Sequence, residues 1–413
     1  MARSTEAGAR GGAGAAGQAL LAELLAALQD ELPDARELRR RLHARPELAH
    51  AERETAATIS TALPVAAESA AGTGLLAQVG DGGAAPVAVR AELDGLPLQE
   101  RTDASFAAKQ DAMHACGHDV HMAGLVALTR AAHRLGERLP VPLLAVFQPS
   151  EEAYPSGAKM LVEEGFGGRR PAAVLGAHVH PELPWRTVAI DPGIVNSSFD
   201  AIEIVVEGSP THGAYPHLGA DPVPALSEIV LALHARVGRA IDPVHVASVT
   251  ISRLQAGSSD NVIPARAQAR GALRAYRRED RETLRRIASE VVTGVAAAHG
   301  CRGFVELTAG EPALCNDETI VAAARPLLAG AALACAPEWR TAGSDDFAFF
   351  GELAPLTMAF VGLDGAEGFL RRPLHHPELL PPDEAVDAVA RTQAVLYAAA
   401  ASCSAGTAAA PPS

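Results

Sequence analysis

The densest group of chemically versatile side chains lies in MHACGHDVHMAG, at residues 113–124. Cys116 and His118 stand on either side of Gly117, just before a predicted helix. A thiolate and an imidazole at this spacing can reach one metal ion from a tight turn, and glycine permits the bend. Each residue alone fits a polar turn with a buried thiol equally well. The cluster indicates a metal site only when further ligands converge on it.

Acidic and imidazole side chains also follow several predicted strands. They are Asp94 after the strand at 86–93, Glu151 and Glu152 after the strand at 140–148, His178 and His180 at the end of the strand at 172–179, and His375 and His376 after the strand at 356–362. Because the carboxyl ends of parallel strands meet at one edge of an open sheet, we expect these side chains to converge. Sulfur, nitrogen and oxygen donors together suit Zn²⁺, Mn²⁺, Co²⁺ or Ni²⁺ without selecting among them.

The adjacent glutamates offer two different roles. Side chains of Glu151 and Glu152 can point in different directions, one onto a metal ion and one onto a water molecule as a general base. Their spacing does not decide which glutamate takes which role. Asp94 either orients a ligand imidazole or caps the following turn. The remaining histidines near these motifs are interpreted as packing or supporting groups: His43, His50, His114, His121, His180 and His376.

The elements that must position these residues follow an α/β pattern. Continuous apolar strands alternate with helices, which predicts a mainly parallel sheet covered on both faces. The middle of the chain changes character and shows the order βαββαβ, which suits a ferredoxin-like module. We therefore predict a catalytic metal-binding domain over 18–193 and 310–400, interrupted by an inserted domain over 194–309. Residues 1–17 and 401–413 are predicted to be disordered tails, and the first helix, Gln18 to Leu42, is predicted to break at Pro33.

Composition excludes several classes of function. The chain has 413 residues and a formal net charge of −14, which is opposite to the charge of a general nucleic-acid binder and disfavours anionic membranes. Five scattered cysteines argue against a disulfide-framed secreted domain. Neither a membrane-spanning apolar stretch nor a signal peptide is recognisable. We expect a cytoplasmic protein with neither nucleic-acid nor membrane partners.

Eight segments, in this order, resemble the dinuclear-metal amidohydrolases, in the branch that contains hippurate hydrolase, N-acyl-amino-acid amidohydrolases and the plant indoleacetyl-amino-acid hydrolases. They are RRLHARPELAHAERET (40–55), VRAELDGLP (89–97), MHACGHDVHMAG (113–124), FQPSEEAYPSGAKMLVEEG (147–165), GAHVHPELP (176–184), DNVIPARAQARGALR (260–274), GSDDFAFF (343–350) and LHHPEL (374–379). The resemblance runs from about Leu38 to Leu396. The Cys-Gly-His and Glu-Glu motifs together are highly specific to this branch.

The resemblance implies a role for each matching residue. It assigns five ligands to two divalent ions per subunit: Cys116, His118, Glu152, His178 and His375. It makes Glu151 the general base and the inserted domain a lid that also forms a homodimer. His212 then reaches the scissile carbonyl, commonly that of the partner subunit, although its segment SPTHGAYP departs from the family pattern GxGGHAxxP. Asn261 and Arg274 then hold the substrate carboxylate, a role that suits the bidentate guanidinium of arginine.

The expected reaction is metal-dependent hydrolysis of the amide bond of an N-acyl amino acid, such as an acetyl or benzoyl derivative. It releases a carboxylic acid and a free amino acid. Three alternatives remain open. They are a dipeptidase or carboxypeptidase on the same scaffold, a cysteine hydrolase that pairs Cys116 with His118 or His114, and a metal-dependent binding or scaffold protein.

Overall fold

The computed structural model describes residues 2–81 and 83–408, and they form two compact units. The first unit contains the chain up to Gly193, then Cys315–Trp339, and the chain from Asp346 onward. The second unit contains Ile194–Leu314 and Arg340–Asp345. It therefore begins at the predicted position, continues past the predicted end at residue 309, and includes a short later segment that the sequence did not indicate. Met1 and residues 409–413 of the two predicted tails lie outside the described residues.

The helices and strands are numbered in chain order. The first group is α1 (Ala2–His43), α2 (Arg53–Ala62), β1 (Glu68–Ala70), β2 (Gly74–Val79), β3 (Val87–Glu92), α3 (His118–Leu135), β4 (Leu143–Gln148), α4 (Gly157–Gly168), β5 (Ala173–Pro184) and β6 (Thr187–Ala189). The middle group is β7 (Gly193–Asn196), β8 (Ser198–Glu207), β9 (Thr211–His212), α5 (Pro222–Ala240), β10 (Ala247–Ala256), β11 (Val262–Ile263), β12 (Arg266–Ala275), α6 (Arg278–Ala298) and β13 (Arg302–Ala309). The last group is β14 (Leu314–Asn316), α7 (Glu318–Ala324), β15 (Ala334–Cys335), β16 (Leu356–Asp364) and α8 (Glu384–Ala408).

An eight-stranded mixed sheet forms the centre of the first unit, in the order β1-β2-β4-β3-β5-β16-β6-β15. The central strands β4, β3, β5 and β16 pair in parallel, as predicted. Antiparallel pairs join β1 to β2, β2 to β4 and β16 to β6. Strands β3 and β4 are buried along their whole length, because α3 and α8 pack on one face while α4 and the 3₁₀ helix Asp346–Glu352 pack on the other.

The first helix is continuous, and the predicted break at Pro33 is wrong. Buried leucines on both sides of the proline, such as Leu28 and Leu38, form one stripe that packs with α3 and α8. This packing outweighs the backbone hydrogen bond that proline cannot donate. Helix α1 also begins at Ala2 and α8 ends at Ala408, so both helices extend into segments predicted as tails. No helix within the described residues combines the length and the apolarity needed to cross a membrane.

The second unit contains a four-stranded antiparallel sheet in the order β10-β12-β8-β13. Alternate residues of β8 are buried, including Ile202, Ile204 and Val206, and they join a core with residues of α5 and α6. The element sequence β8-α5-β10-β12-α6-β13 confirms the predicted order βαββαβ. A separate two-stranded ribbon of β9 and β11 accompanies this sheet.

Candidate metal centre

The predicted site residues of the first unit lie along one edge of its sheet. Asp94 follows β3, the pair Glu151 and Glu152 follows β4, and His375 lies in the loop after β16. The prediction for His178 needs a correction. Strand β5 continues to Pro184, paired with β16, so His178 lies inside the strand and not at its end. It remains buried, with 7% of its surface exposed.

A glycine turn presents the thiol and the first imidazole. Gly117 adopts φ +84° immediately before α3, and a β-carbon there would lie 2.4 Å from Cγ2 of Val179. Only glycine fits this conformation and this close approach. His118 is the first residue of α3, and both His118 and Cys116 are buried. The turn therefore presents both side chains as the sequence predicted.

The structure brings the five predicted ligands together. One group unites Cys116, Glu152 and His375, whose candidate ligand atoms all lie within 4.8 Å of one another. His178 joins it through Nε2, which lies 3.4 Å from Sγ of Cys116. Nε2 of His375 lies 3.2 Å from Oε1 of Glu152. These residues are far apart in the chain, and the parallel strands collect them at one point.

A second group unites His118, Glu151 and Glu152 within the same 4.8 Å limit. Nε2 of His118 lies 3.8 Å from Oε2 of Glu151, which is too far for a hydrogen bond. Both Nε2 of His118 and Oε1 of Glu152 are buried without a hydrogen-bond partner. Buried polar atoms are rarely left in this state, so they point to a ligand, and a divalent cation fits this donor set.

The electrostatic field of the site favours a cation. Burial lowers the pKa of His118, but the negative charges of Glu92, Asp94 and Glu152 outweigh it and raise that pKa to about 10. The carboxylates thus stabilise positive charge where His118 stands. The same negative charges would attract a divalent ion bound beside His118.

His178 is prepared as a neutral nitrogen donor. Burial lowers its pKa well below the usual value, so the ring is uncharged at neutral pH. Its Nδ1 donates to the backbone carbonyl of Val179 at 2.7 Å, which leaves the lone pair of Nε2 directed toward Cys116. A hydrogen bond of this kind fixes the tautomer and the orientation of a ligating histidine.

His375 occupies an unusual backbone conformation, with φ +64°. Its backbone N–H donates to the carbonyl oxygen of Ala115 at 2.8 Å, which ties the loop to the segment that carries Cys116. Its side chain is half exposed, unlike those of the other candidate ligands. The loop after β16 therefore supplies the solvent-facing side of the site.

Asp94 connects the two halves of the site. Its Oδ2 accepts the backbone N–H of Glu152 at 2.8 Å, and its backbone carbonyl accepts from Nδ1 of His118 at 2.8 Å. Burial raises the pKa of Asp94, but hydrogen bonding and charge interaction with His118 lower it overall. The contact with the imidazole is compatible with the first predicted role, and the hydrogen bond from Glu152 ties Asp94 to the loop of the glutamate pair.

Two further residues, His121 and Glu92, support the candidate ligands. His121 uses both ring nitrogens: Nδ1 pairs with Oε2 of Glu92 at 2.9 Å, and Nε2 accepts the N–H of Val179 at 3.0 Å. Both ring nitrogens are occupied, which is compatible with the predicted supporting role, and His121 lies with Glu92, His118 and His178 in a four-residue cluster. Glu92 was not predicted. A charged residue at the end of a buried strand was the signal that could have identified it.

The predicted residues of the second unit are arranged differently. His212 on β9 and Asn261 beside β11 are exposed, and the two strands pair so that the backbone carbonyl of Asn261 accepts the N–H of Gly213 at 2.8 Å. Nδ1 of His212 accepts from the N–H of Ala214 at 3.0 Å. Arg274 lies on β12, where Nη1 donates to the carbonyl oxygen of Ala342 at 3.1 Å. The structure brings His212 and Asn261 together on one ribbon and places Arg274 on the neighbouring sheet.

Comparison with known proteins gives concordant results. The model of "Peptidase family M20/M25/M40" matches residues 88–400. The N-acetylcysteine deacetylase of Bacillus subtilis is 32% identical over 356 residues, which is 84% of this chain and 92% of that protein. The IAA-amino acid hydrolase ILR1-like 2 of Arabidopsis thaliana is 33% identical over 80% of this chain and 77% of its own length. The crystal structure of the Bacillus subtilis YXEP protein, described as a dinuclear metal binding peptidase, superposes with a TM-score of 0.78 at 29% identity, covering 90% of this chain and 98% of that one.

Proposed function

The chain belongs to peptidase family M20/M25/M40, and from this premise we propose that it hydrolyses the amide bond of N-acyl amino acids. The products are a carboxylic acid and a free amino acid. The observation that carries the proposal is the convergence of five sulfur, nitrogen and oxygen donors, one of them Glu152, beside the carboxylate of Glu151. Relatives named as an N-acetylcysteine deacetylase and an IAA-amino acid hydrolase support the acyl-amino-acid class of substrate.

The protein is a metal-dependent amidohydrolase, and its own residues supply the metal ligands. We assign two divalent ions, of Mn, Zn, Co or Ni, to Cys116, His118, Glu152, His178 and His375. When bound, such ions acidify a water molecule and polarise the substrate carbonyl. Support for these positions comes from the burial of Cys116, His118 and His178 and from the buried atoms of His118 and Glu152 that have no hydrogen-bond partner.

Glu151 acts as the general base in this proposal. It takes a proton from the attacking water, whose oxygen bonds to the carbonyl carbon, and it then delivers a proton to the departing amine as the C–N bond breaks. Its carboxylate belongs to the same cluster as His118 and Glu152, so it lies beside the donors without being needed to complete them. Two neighbouring residues of the chain thus take different roles, Glu151 as the base and Glu152 as a metal ligand.

We assign the substrate-binding groups to the second unit. His212 stabilises the negative charge that develops on the carbonyl oxygen, and Arg274 with Asn261 holds the substrate α-carboxylate. The exposed positions of His212 and Asn261 on one ribbon are compatible with this role. A homodimer formed by this unit, acting as a lid, would let His212 serve the partner subunit. We further propose a cytoplasmic location.

The test is a substrate panel measured after metal exchange. The purified protein is stripped with a chelator and reloaded separately with Mn²⁺, Zn²⁺, Co²⁺ or Ni²⁺, and each form is given N-acetyl amino acids, N-benzoyl amino acids and free dipeptides. We expect hydrolysis of N-acyl amino acids in reloaded forms only. Cleavage of dipeptides alone would favour the peptidase alternative. Activity that survives chelation and disappears on thiol alkylation would favour a cysteine hydrolase.

A further inference from the structure

The loop that carries the glutamate pair contains a strained residue. Residues 149–156 connect β4 to α4, and Ser150 within them adopts φ +48°, immediately before Glu151. A residue other than glycine is uncommon in this left-handed region and persists only where its surroundings hold it. The direction of Glu151 and Glu152 therefore depends on what fixes Ser150, in addition to Asp94, which accepts the N–H of Glu152.

A buried carboxylate from a distant part of the chain anchors the backbone N–H of Ser150, while the hydroxyl of Ser150 lies 2.9 Å from Nε2 of His50 and its carbonyl oxygen accepts the N–H of Gly157 at 2.9 Å. Glu52 has no exposed surface, and its Oε1 accepts the backbone N–H of Ser150 at 2.8 Å. Its Oε2 accepts the hydroxyl of Thr73 at 2.6 Å, which sets the orientation of the carboxylate. Both oxygens of Glu52 thus accept a hydrogen bond, one from Ser150 and one from Thr73, which directly precedes β2.

Glu52 does not serve the helix that it precedes. It occupies the position before α2, yet its side chain makes no capping hydrogen bond. Glu47 does this work, because its Oε2 accepts both the N–H and the hydroxyl of Thr55, at 2.7 and 2.8 Å. Two glutamates of one short segment therefore have separate partners, the helix for Glu47 and the glutamate loop for Glu52.

The other end of the loop is held by a second buried carboxylate. Oδ2 of Asp346 accepts from the hydroxyl of Ser156 at 2.7 Å and from the N–H of Ala158 at 3.2 Å. Asp346 has only 1% of its surface exposed. Between these anchors, the hydroxyl of Ser150 lies 3.0 Å from the carbonyl oxygen of Ala153, which closes the loop on itself.

We propose that Glu52 is a positioning residue: it holds Ser150 in its left-handed conformation and so directs Glu151 and Glu152 into the site. The expected effect on catalysis rests on the proposed function, but the anchoring of Ser150 by Glu52 is a structural property that can be tested separately. Misplacement of a catalytic group by about 1 Å costs about 10²-fold in rate, so the effect is expected in kcat.

The test compares Glu52→Ala with Glu52→Gln and with the matched control Glu47→Ala. Amide hydrogen exchange of the peptide that spans 149–156 reports on anchoring independently of activity. We expect Glu52→Ala to accelerate this exchange and to lower kcat about 10²-fold with KM changed less than about threefold. Glu52→Gln should restore most of both, because an amide oxygen still accepts from Ser150 and the amide nitrogen can donate to Thr73.

Glu47→Ala removes a helix cap in the same segment, so it should lower the thermal midpoint while leaving loop exchange and kcat close to wild type. Equal loop exchange in Glu47→Ala and Glu52→Ala, or no change in Glu52→Ala, would overturn the proposal. If Glu52→Ala does not fold, Thr73→Val replaces it, with smaller changes expected in the same direction. A wild-type protein inert toward N-acyl amino acids but with this exchange pattern would contradict the proposed function alone.

Discussion

The two units hold their candidate functional residues in opposite ways. In the first unit, Cys116, His118 and His178 are buried, and each is fixed by neighbours from other strands and loops. In the second unit, His212 and Asn261 are exposed on a two-stranded ribbon, and the side-chain hydrogen bonds of both residues are local. The contrast indicates where preorganisation is built into the fold. Ligands and base are set before substrate arrives, whereas the groups assigned to substrate stand on the surface of their unit.

This difference separates two kinds of loss on mutation. Removing the base should destroy the chemical step, and removing groups of the second unit should affect the transition state or the binding of substrate. Each kind can be measured by comparing kcat with KM. The following changes are ordered from the largest expected effect to the smallest.

Glu151→Gln should have the largest effect. The amide cannot take a proton from water, so kcat should fall by about 10⁴-fold, at the upper end of general-base contributions. The metal content should stay unchanged, because the five assigned ligands remain. Steady-state kinetics and elemental analysis check this, with Glu182→Gln, an exposed residue of β5, as the control. Undiminished activity would remove Glu151 from the mechanism.

His212→Ala tests the second unit. Loss of one donor to the developing oxyanion should lower kcat by about 10²-fold with little change in metal content. His217→Ala, which alters another exposed histidine of the same region, should retain activity. Mixing His212→Ala with Glu151→Gln subunits should recover part of the activity if the site is shared across a dimer. The account of His212 fails if its alanine variant matches wild type.

Arg274→Lys should mainly change substrate affinity. A lysine keeps the charge but loses the bidentate geometry, so KM should rise about tenfold while kcat changes little. The control is Arg270→Lys on the same strand, whose partner is Glu203 at the surface. A lower kcat with an unchanged KM would show that Arg274 acts on the chemical step and not on the ground-state carboxylate.

Asp200→Asn tests a contribution to the stability of the second unit that should leave catalysis unchanged. Asp200 is buried between Arg281 and Arg285, and although burial raises its pKa, these hydrogen bonds lower that pKa overall. A lowered pKa means that the stabilisation is present above about pH 4 and is lost as pH falls through the folded value. We expect a loss of about 1–3 kcal/mol at pH 7 that shrinks in acid, and unchanged kcat below the melting transition.

Denaturant unfolding at several pH values checks this prediction. Glu290→Gln is the matched control, because Glu290 lies on the same helix and its ion pairs with Arg286 and Arg236 are exposed, so the change should cost at most about 1 kcal/mol. A constant difference between Asp200→Asn and wild type from pH 7 down to pH 2 would show that the carboxylate charge does not supply the stability.

The convergence of the site residues could be predicted from the sequence because it follows from the geometry of a parallel sheet. Parallel strands end at one edge, so residues after β3, β4 and β16 had to approach one another. The register of β5 could not be predicted in the same way, since its extension to Pro184 depends on pairing with β16. The predicted break at Pro33 was wrong for a similar reason. The leucine stripe of α1 is stabilised by packing on α3 and α8, and local helix propensity does not include such contacts.

Supporting carboxylates were the hardest to identify. Glu52 directly precedes α2 in the sequence, and only the structure shows that its side chain accepts from Ser150 and does not cap that helix. Glu92 and Asp346 are similar, because Glu92 pairs with His121 of α3 and Asp346 accepts from Ser156 of the loop before α4. A role that depends on contacts between residues far apart in the chain produces no sequence motif by which it could be recognised.

The most direct test of the central claim is anomalous X-ray diffraction from crystals of the Mn²⁺- or Zn²⁺-loaded protein. The account predicts anomalous peaks at about 2.0–2.3 Å from Sγ of Cys116, from the histidine Nε2 atoms and from a carboxylate oxygen of Glu152. A fully active, metal-loaded protein whose peaks all lie away from these side chains would contradict it.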